Sequence, residues 1–379
     1  MTLTSTRPIT LVQGQDFYVP AFEVKIGDRA LKGEPFRDIL QVTYKDSLTE
    51  YDSMEIKINN WDSQNRTFKY SDEALFDPGQ RVELKMGYLG KANLKQMLTG
   101  HIKTLKPTFP AGGQPTLAIG GLSLLERLKS KQVTEVYRKK TDHEIARKIQ
   151  SRSPLEVELV PNAIGARRKH TYIFQDNQYD ILFLMERARR IGYDLFIIEP
   201  AEEDTSSKPR LYFGPSNKIK RTNYELEYGR TLTEFQPTLN ITKQVKKVTV
   251  QGWNAVKKKR IKVTVGRDEL DIKGLGCAQR ESSLLKHIDK DEETISNVPV
   301  HDDDEARILA KETLEKIVKN MVTASGSVIG LPELRTGSVL RIRGVGECFS
   351  GRYFVTATTH TISDSGYTTQ FDCRMEEPR

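Results

Sequence analysis

Residues 78–121, PGQRVELKMGYLGKANLKQMLTGHIKTLKPTFPAGGQPTLAIGG, and residues 335–375, RTGSVLRIRGVGECFSGRYFVTATTHTISDSGYTTQFDCRM, carry one strand-and-turn pattern twice. In each copy a glycine, Gly79 or Gly337, precedes a short alternating strand. Gly100 and Gly351 are then expected to start a longer strand, and a last glycine turn precedes a closing strand. A duplicated β unit is typical of a protein that builds a ring or tube, whereas a lone catalytic domain needs no second copy.

Length and composition limit the possible architectures. The chain has 379 residues, of which 37% are hydrophobic and 29% charged, so it can bury sizeable cores but is too long for one ordinary domain. We expect roughly two to four compact units. The start of the chain lacks the regions of a signal peptide, and no stretch approaches about 18 apolar residues, so neither secretion nor membrane insertion is predicted.

The cysteines and the net charge exclude few classes of protein. Cys277, Cys348 and Cys373 lack the spacing of a zinc site or a disulfide framework, so the sequence predicts buried or incidental thiols in a protein made in the cytosol. The net charge of +8 is modest for this length.

Two changes of pattern divide the chain into three predicted domains. Residues 1–121 alternate as β-strands and predict a first β-barrel domain. Residues 122–235 mix helices with strands and predict an α/β insertion. Residues 236–379 return to β and predict a second β-barrel domain with an amphipathic helix at about 302–321. The predicted fold class is mainly β with an α/β insertion (α+β), built on two similar antiparallel β-barrels.

Helix signals are clearest in the insertion. Thr141 and Glu144 have the spacing of a capping box at a helix start. Asp176 or Asn177 is expected to cap the next helix, which leads into a strand over residues 193–198. Farther on, residues 246–251 and 260–265 predict strands, and residues 267–300 are expected to be mostly surface loop.

No catalytic, cofactor-binding or metal-binding residue is predicted, and the chain is expected not to be an enzyme. Asp302, Asp303 and Asp304 lie at a predicted helix start, where capping is favoured over metal binding. Ser123 lacks the glycine pattern of a nucleophile elbow, and the glycine-rich segments lack the context of a phosphate-binding loop. The histidines have no metal-ligand spacing: His101, His143, His170, His287, His301 and His360.

Two surface features leave alternatives open. Basic runs occur at residues 138–140, 167–169, 218–221 and 257–260. A solvated surface is favoured, with nucleic acid or an acidic protein as the alternatives, and specific nucleic-acid binding is not predicted because interleaved aromatics are absent. For Trp253 we favour packing at a strand end over a platform for a sugar or base.

Several segments, in this order, resemble the phage late control D proteins and the hub part of VgrG spike proteins. The resemblance covers about residues 16–376 and is carried by residues 176–197, DNQYDILFLMERARRIGYDLFI, and 248–261, VTVQGWNAVKKKRI. Residues 334–371 resemble the family's closing barrel segment, and residues 98–121 fit its first barrel. In the family the 248–261 segment opens the second barrel.

The resemblance implies a structural baseplate hub. Such hubs are homotrimers in which two barrels from each subunit form a pseudo-sixfold ring that adapts the sixfold tail tube to the threefold spike. The implied partners are the tube or a tube-initiator protein, a spike protein and, further out, wedge proteins. VgrG proteins continue into a needle and this sequence does not, so a separate trimeric spike is expected.

The expected location is the baseplate of a phage-tail-like particle, a virion, tailocin or injection system, assembled in the cytoplasm. The alternative function is a carbohydrate-binding or adhesin-like β module without catalysis. That alternative predicts exposed aromatic clusters and a monomer.

Overall fold

The computed structural model describes most of the chain. The described residues are 9–10, 19–89, 94–153, 157–160, 169–191, 193–200, 208–215, 223–254, 257–270, 283–288, 290–300 and 302–378. They are mainly antiparallel β-strands with a smaller number of helices, as the sequence predicts.

Residues 20–123 supply the first half of a 14-stranded sheet. Within it the neighbours run in the order β4–β5–β10–β9–β8–β2–β3, and β6 pairs with β7 outside it. Met54, Ile56 and Ile58 are at most 3% exposed, which confirms the predicted buried face of β5. The elements are β1 (Ile9–Thr10), β2 (Pro20–Ile26), β3 (Arg29–Ala30), helix α1 (Glu34–Arg37), β4 (Ile39–Ser47), β5 (Ser53–Asn59), β6 (Trp61–Asp62), β7 (Thr67–Phe68), a 3-10 turn (Ala74–Phe76), β8 (Arg81–Tyr88), β9 (Lys95–Thr108) and β10 (Thr116–Ser123).

The insertion has its own core between two helices and two small sheets. The ribbon β11–β13 and the sheet β12–β15–β14 enclose an apolar cluster that includes Ile149, Ile181 and Leu184. Thr141 and Glu144 form the predicted capping box. The elements are a 3-10 turn (Leu124–Lys129), β11 (Gln132–Lys140), α2 (Asp142–Arg152), β12 (Glu158–Leu159), β13 (His170–Tyr179), α3 (Asp180–Arg190), β14 (Tyr193–Ile198) and β15 (Arg210–Pro215).

The second half of the large sheet runs in the order β17–β21–β24–β23–β22–β16, and β16 also pairs with β1. Alternation along β24 is as predicted, because Tyr367, Phe371 and Met375 are buried on one face. The elements are β16 (Asn223–Glu227), β17 (Glu234–Leu239), β18 (Val245–Asn254), β19 (Lys259–Gly266), a 3-10 turn (Arg267–Glu269), β20 (Lys290–Ile295), α4 (Asp303–Lys319), β21 (Val322–Ile329), β22 (Val339–Arg343), β23 (Gly351–Ser363) and β24 (Gly366–Pro378).

Residues 245–319 form a separate unit between β17 and β21. Strands β19, β18 and β20 make a three-stranded sheet that packs against α4 over valines and alanines, including Val248, Val250 and Ala310. The expectation that β18 opens a second barrel is not met among the described residues, where β18 pairs with β19 and β20 and not with a strand of the large sheet. The predicted loop over 267–300 is also wrong at β20, where Lys290–Ile295 pair in parallel with β18.

The repeat read from the sequence exists in three dimensions. Strands β8–β9–β10 and β22–β23–β24 are both antiparallel meanders. Gly79 N–H donates to the Ile102 carbonyl at 2.7 Å, and Gly337 N–H donates to the Val355 carbonyl at 2.8 Å. The two glycines have φ angles of 99° and 79°, a region open mainly to glycine.

Three local predictions are wrong. Asp176 and Asn177 do not cap α3, because β13 continues to Tyr179, which occupies the N-cap. Gly100 lies inside β9, where a Cβ would stand 1.9 Å from the Leu122 carbonyl oxygen, so close strand approach requires it. Cys348 is disulfide-bonded, whereas Cys373 is a free, buried thiol as predicted.

Candidate functional site

Strand β23 joins the two halves of the large sheet. Its first residues pair with β22. After a register shift between Val355 and Ala357 its remaining residues pair with β4, from Ala357↔Ser47 to Ser363↔Gln41. One strand thus belongs to both halves. Ile362 and Tyr367 pack into the apolar cluster of the first half, although they lie at the end of the chain.

A buried ion pair lies beside this joint. Asp46 on β4 is 3% exposed, and its carboxylate accepts a hydrogen bond from Arg335 Nε at 2.9 Å. Arg335, in the loop before β22, also donates to the Tyr44 hydroxyl and to the Met97 carbonyl, the latter at 3.1 Å. Its guanidinium lies 4.4 Å from the centroid of the Tyr44 ring. The pair therefore links both halves through side chains.

The surroundings keep both members of the pair charged. Burial alone would raise the pKa of Asp46, but Arg335 and the hydrogen bond from Thr358 hold that pKa below its ordinary value. Burial opposes the charged form of Arg335, whereas Tyr44 and Asp46 raise its pKa above the usual range. A buried charge that loses its partner is costly, so each residue depends on the other.

His360 extends the polar cluster along β23. Its ring is fully buried, and burial lowers its pKa to about 4, so the imidazole is neutral near pH 7. Nε2 lies 3.0 Å from the Leu334 carbonyl, which can only accept, so Nε2 carries the proton. Nδ1 then accepts from the hydroxyl of Tyr367 at 3.0 Å or Thr369 at 3.1 Å.

This cluster is suited to holding the two halves together and not to turning over a substrate. Asp46 and His360 are almost completely buried, and their polar atoms are already used by Arg335, Thr358 and the Leu334 carbonyl. Sequence reasoning missed it because Asp46 and Arg335 lie at opposite ends of the chain. The feature of the sequence that could have indicated it is a charged residue, Asp46, within an alternating strand.

A small cavity of about 110 Å³ lies where the first half meets the insertion. His101 Nε2 lies 2.9 Å from Arg127 Nη2, and burial together with the charges of Arg127, Lys103 and Arg81 lowers the pKa of His101. The described lining carries no carboxylate or hydroxyl that would complete an acid–base or nucleophile pair. It consists of Arg81, His101, Leu124, Arg127, Lys208 and Pro209.

The glycine turns that follow the first strand of each repeat copy, residues 87–93 and 344–349, differ in how far the structure describes them. In the first copy Gly87 lies within β8 and Leu89 is 61% exposed, while residues 90–93 lie outside the described residues. In the second copy residues 344–349 form the turn between β22 and β23. Phe349 packs towards the core of the second half, and its carbonyl accepts from the Tyr353 hydroxyl at 2.7 Å.

The remaining sequence candidates have local structural roles. Asp302 caps α4, its carboxylate accepting from Glu305 N–H at 2.8 Å, as predicted. Ser123 is 2% exposed at the end of β10. Over the described ranges no group of three His, Cys, Asp or Glu side chains is arranged to hold a metal ion. In the same ranges, no helix combines the length and the apolar character needed to cross a bilayer.

Trp253 corrects the sequence analysis. Its side chain is 60% exposed and is not packed at the strand end. Alternation in VTVQGW could have predicted this exposure. Val248 and Val250 are buried on one face of β18, and Trp253 lies on the other face. A second aromatic group consists of the exposed Phe68 and Phe109 and the partly buried Trp61. The ring centroids of Trp61 and Phe68 lie 5.4 Å apart, and those of Phe68 and Phe109 lie 5.1 Å apart.

Comparison with known proteins places the fold. The model of the family described as the Alg8 N-terminal domain matches residues 19–364. No curated protein sequence matches the chain. The 43 kDa tail protein of prophage MuSo2 from Shewanella oneidensis superimposes with a TM-score of 0.71 at 13% identity, covering 94% of this chain and 98% of that one.

Two further solved structures have the same fold. The tail protein from Neisseria meningitidis MC58 gives a TM-score of 0.67 at 12% identity over 94% of this chain and 97% of its own. The E. coli c3393 protein is a type VI secretion component similar to the T4 tail proteins gp27 and gp5. It gives a TM-score of 0.57 at 12% identity, covering 94% of this chain and 76% of its own. At these identities the likeness concerns the fold alone.

Proposed function

The chain belongs to the Alg8 N-terminal domain family, and we propose that it is the structural hub of a contractile tail or injection system. The observation that carries the proposal is the pair of half-sheets with one strand order, fused through β23. A fold shared with phage tail proteins over almost the whole chain supports it.

The proposed assembly is a homotrimer. Three chains that each contribute two similar half-sheets would place six similar units around one axis, which is the arrangement needed between a sixfold tube and a threefold spike. Each half would then form one barrel-like unit of the ring. The buried Asp46–Arg335 pair supports this proposal because a ring needs the two units at a fixed relative orientation.

The proposed partners are a tail tube or tube-initiator protein on one side and a trimeric spike on the other, with wedge proteins outside. The proposed location is the baseplate of a phage-tail-like particle. We also propose a non-enzymatic role, supported by the buried, internally bonded state of Asp46 and His360.

The test is the mass and shape of the purified protein. Native mass spectrometry is expected to show a trimer, and electron microscopy a threefold ring with six similar lobes around an open lumen. A variant with Arg335→Ala should lose the ring while a variant with Arg81→Ala, which removes a half-exposed ion pair with Glu83, keeps it. A strictly monomeric wild-type protein at assembly-like concentration would refute the hub.

A carbohydrate-binding or adhesin-like module is the second candidate, favoured by the aromatic group Trp61, Phe68 and Phe109. Phe109 is 59% exposed and Phe68 38% exposed, which suits stacking on a sugar ring. This candidate predicts a monomer whose retention on a glycan array falls after Phe109→Ala. A trimer with no glycan retention would exclude it.

A further inference from the structure

The hairpin β18–β19 brings Trp253 and the basic run at residues 257–260 together on one surface. Trp253 on β18 is the cross-strand partner of Arg260 on β19. Lys257 and Lys258 lie in the turn between the strands and Lys259 begins β19, and all three are exposed. We call Trp253 and residues 257–260 the basic hairpin surface.

Packing on the opposite face explains why Trp253 points outward. Gly252 shares the inner face with its partner Ile261, which is 2% exposed. A Cβ at Gly252 would lie 2.4 Å from Val300 Cγ2, so only glycine allows Val300 to pack there. Successive residues of a strand face opposite sides, so Trp253 must face solvent beside Arg260.

The cations of this surface are not neutralised within the described part of the chain. Arg260 donates to the neutral Gln251 side chain at 2.6 Å, and the lysines at 257–259 have no ion pair there. At the other end of the same sheet the pattern is reversed. Lys246 pairs with Asp291 at 2.7 Å and Lys247 with Glu292 at 3.4 Å.

We propose that the basic hairpin surface docks an acidic segment of a partner protein. Trp and Arg are the residue types that most often anchor protein interfaces, and here they lie side by side. The surrounding lysines would steer a negatively charged partner and exclude cationic ones. This partner is additional to the ring neighbours of the proposed hub, and the docking does not require the ring.

The observations favour an acidic protein over single-stranded nucleic acid. Proteins that bind single strands present several aromatic side chains on which successive bases stack. Within the described residues of β18 and β19, Trp253 is the exposed aromatic side chain. The hairpin therefore offers one aromatic contact and not a row of aromatic side chains for successive bases. Nucleic acid therefore becomes an outcome of the test.

Trp253 itself can report the binding. The chain contains two tryptophans, so a Trp61→Phe variant leaves Trp253 as the only one. We expect a poly-L-glutamate peptide to change the fluorescence of this variant in a saturable, salt-sensitive manner. An oligodeoxythymidylate of equal charge is expected to bind at least tenfold more weakly.

A matched pair of triple variants separates docking from general attraction. One carries Lys257→Gln, Lys258→Asn and Lys259→Gln. The other changes the basic run at the end of β11, with Arg138→Gln, Lys139→Asn and Lys140→Gln. Lys258 and Lys139 both have φ of 50°, so asparagine suits the backbone equally in both. The first is expected to weaken peptide binding at least tenfold, and the second less than twofold.

Three results would overturn the proposal. They are the absence of a fluorescence change with the peptide, an equal loss of affinity in both triple variants, and tighter binding of the oligonucleotide. Circular dichroism of each variant shows whether the fold is kept. If the lysine variant misfolds, the exposed substitution Trp253→Ala, followed by calorimetry, tests the same tenfold loss.

Discussion

The two halves of the large sheet share a strand order but carry their extra structure at different connections. Five residues, 48–52, connect β4 to β5 in the first half. The corresponding connection from β17 to β21 in the second half contains the unit of residues 245–319. The strand that flanks the meander also differs in direction, since β2 is antiparallel to β8 whereas β16 is parallel to β22.

This difference shows which parts of the repeat are common to both halves and which part can vary. The glycine before the first strand and the three-stranded meander occur in both halves. The connection from β4 to β5 is a short loop, whereas the corresponding connection from β17 to β21 is a complete sheet-and-helix unit with its own core. We infer that the meander determines the half-sheet, and that the connection is free to carry other functions.

The joint between the halves should be the most sensitive point. Asp46→Ala leaves Arg335 buried without its carboxylate, so we expect the free energy of unfolding to fall by about 3–5 kcal/mol. Urea unfolding followed by circular dichroism measures the loss. Glu83→Ala is the control, because its half-exposed pair with Arg81 is worth about 0–1 kcal/mol. Equal effects of the two changes would show that the joint is no more than a surface contact.

Acid should weaken the joint through His360. Its folded-state pKa of about 4 is below the unfolded value of about 6.5, so its stabilising contribution is full above pH 6.5 and is lost as pH falls through 4. Linkage gives a loss of about 2 kcal/mol between pH 8 and pH 5. The pH dependence of urea unfolding measures it, and a His360→Gln variant with an unchanged pH profile would contradict the assignment.

The paired glycines test whether the halves are energetically alike. Alanine at Gly79 or Gly337 must adopt a positive φ, so each change is expected to cost about 1–2 kcal/mol. The melting temperatures of the two single variants should fall by similar amounts. A loss confined to one of them would mean that the hydrogen bonds shared by the two copies are not equivalent in energy.

Removing the inserted unit should have the smallest effect on the large sheet. Leu239 pairs with Val322, and Asn240 N–H donates to the Met321 carbonyl at 2.9 Å, so an Asn-Gly turn can replace residues 241–320. The shortened sheet loses the Lys319–Glu376 ion pair, worth about 0–1 kcal/mol, and the contacts of the partly buried Ile241 and Leu284 side chains with the apolar cluster of the second half. A small fall of the urea midpoint relative to the full chain is expected, and failure to fold would show that the unit is part of the second half.

Local pattern predicted the strands far better than their partners. The meanders, the capping box at Thr141 and the buried face of β24 all follow from spacing within about ten residues. Sheet membership of β18 does not, because its alternation suits either neighbour, and only the apolar face of α4 decides it. The Tyr179 N-cap was missed because the strand pairing of β13 overrides the capping preference of Asp176 and Asn177.

The candidate surfaces were predictable to different degrees. Exposure of Trp253 follows from strand alternation once Gly252 is placed on the inner face. Its pairing with Arg260 requires the register of the hairpin, which the sequence leaves open. The Asp46–Arg335 pair depends on β23 joining β4, a contact between the two ends of the chain that no local pattern reports.

That shared strand has a consequence during synthesis. The first half-sheet obtains its β23 neighbour, and the Ile362 and Tyr367 side chains of its core, only when almost the whole chain has left the ribosome. The N-terminal strands must therefore wait with an open edge and a partly uncovered core while the insertion and the second half are made. High contact order of this kind slows folding, so the nascent chain is expected to depend on chaperones until its last strand is synthesised.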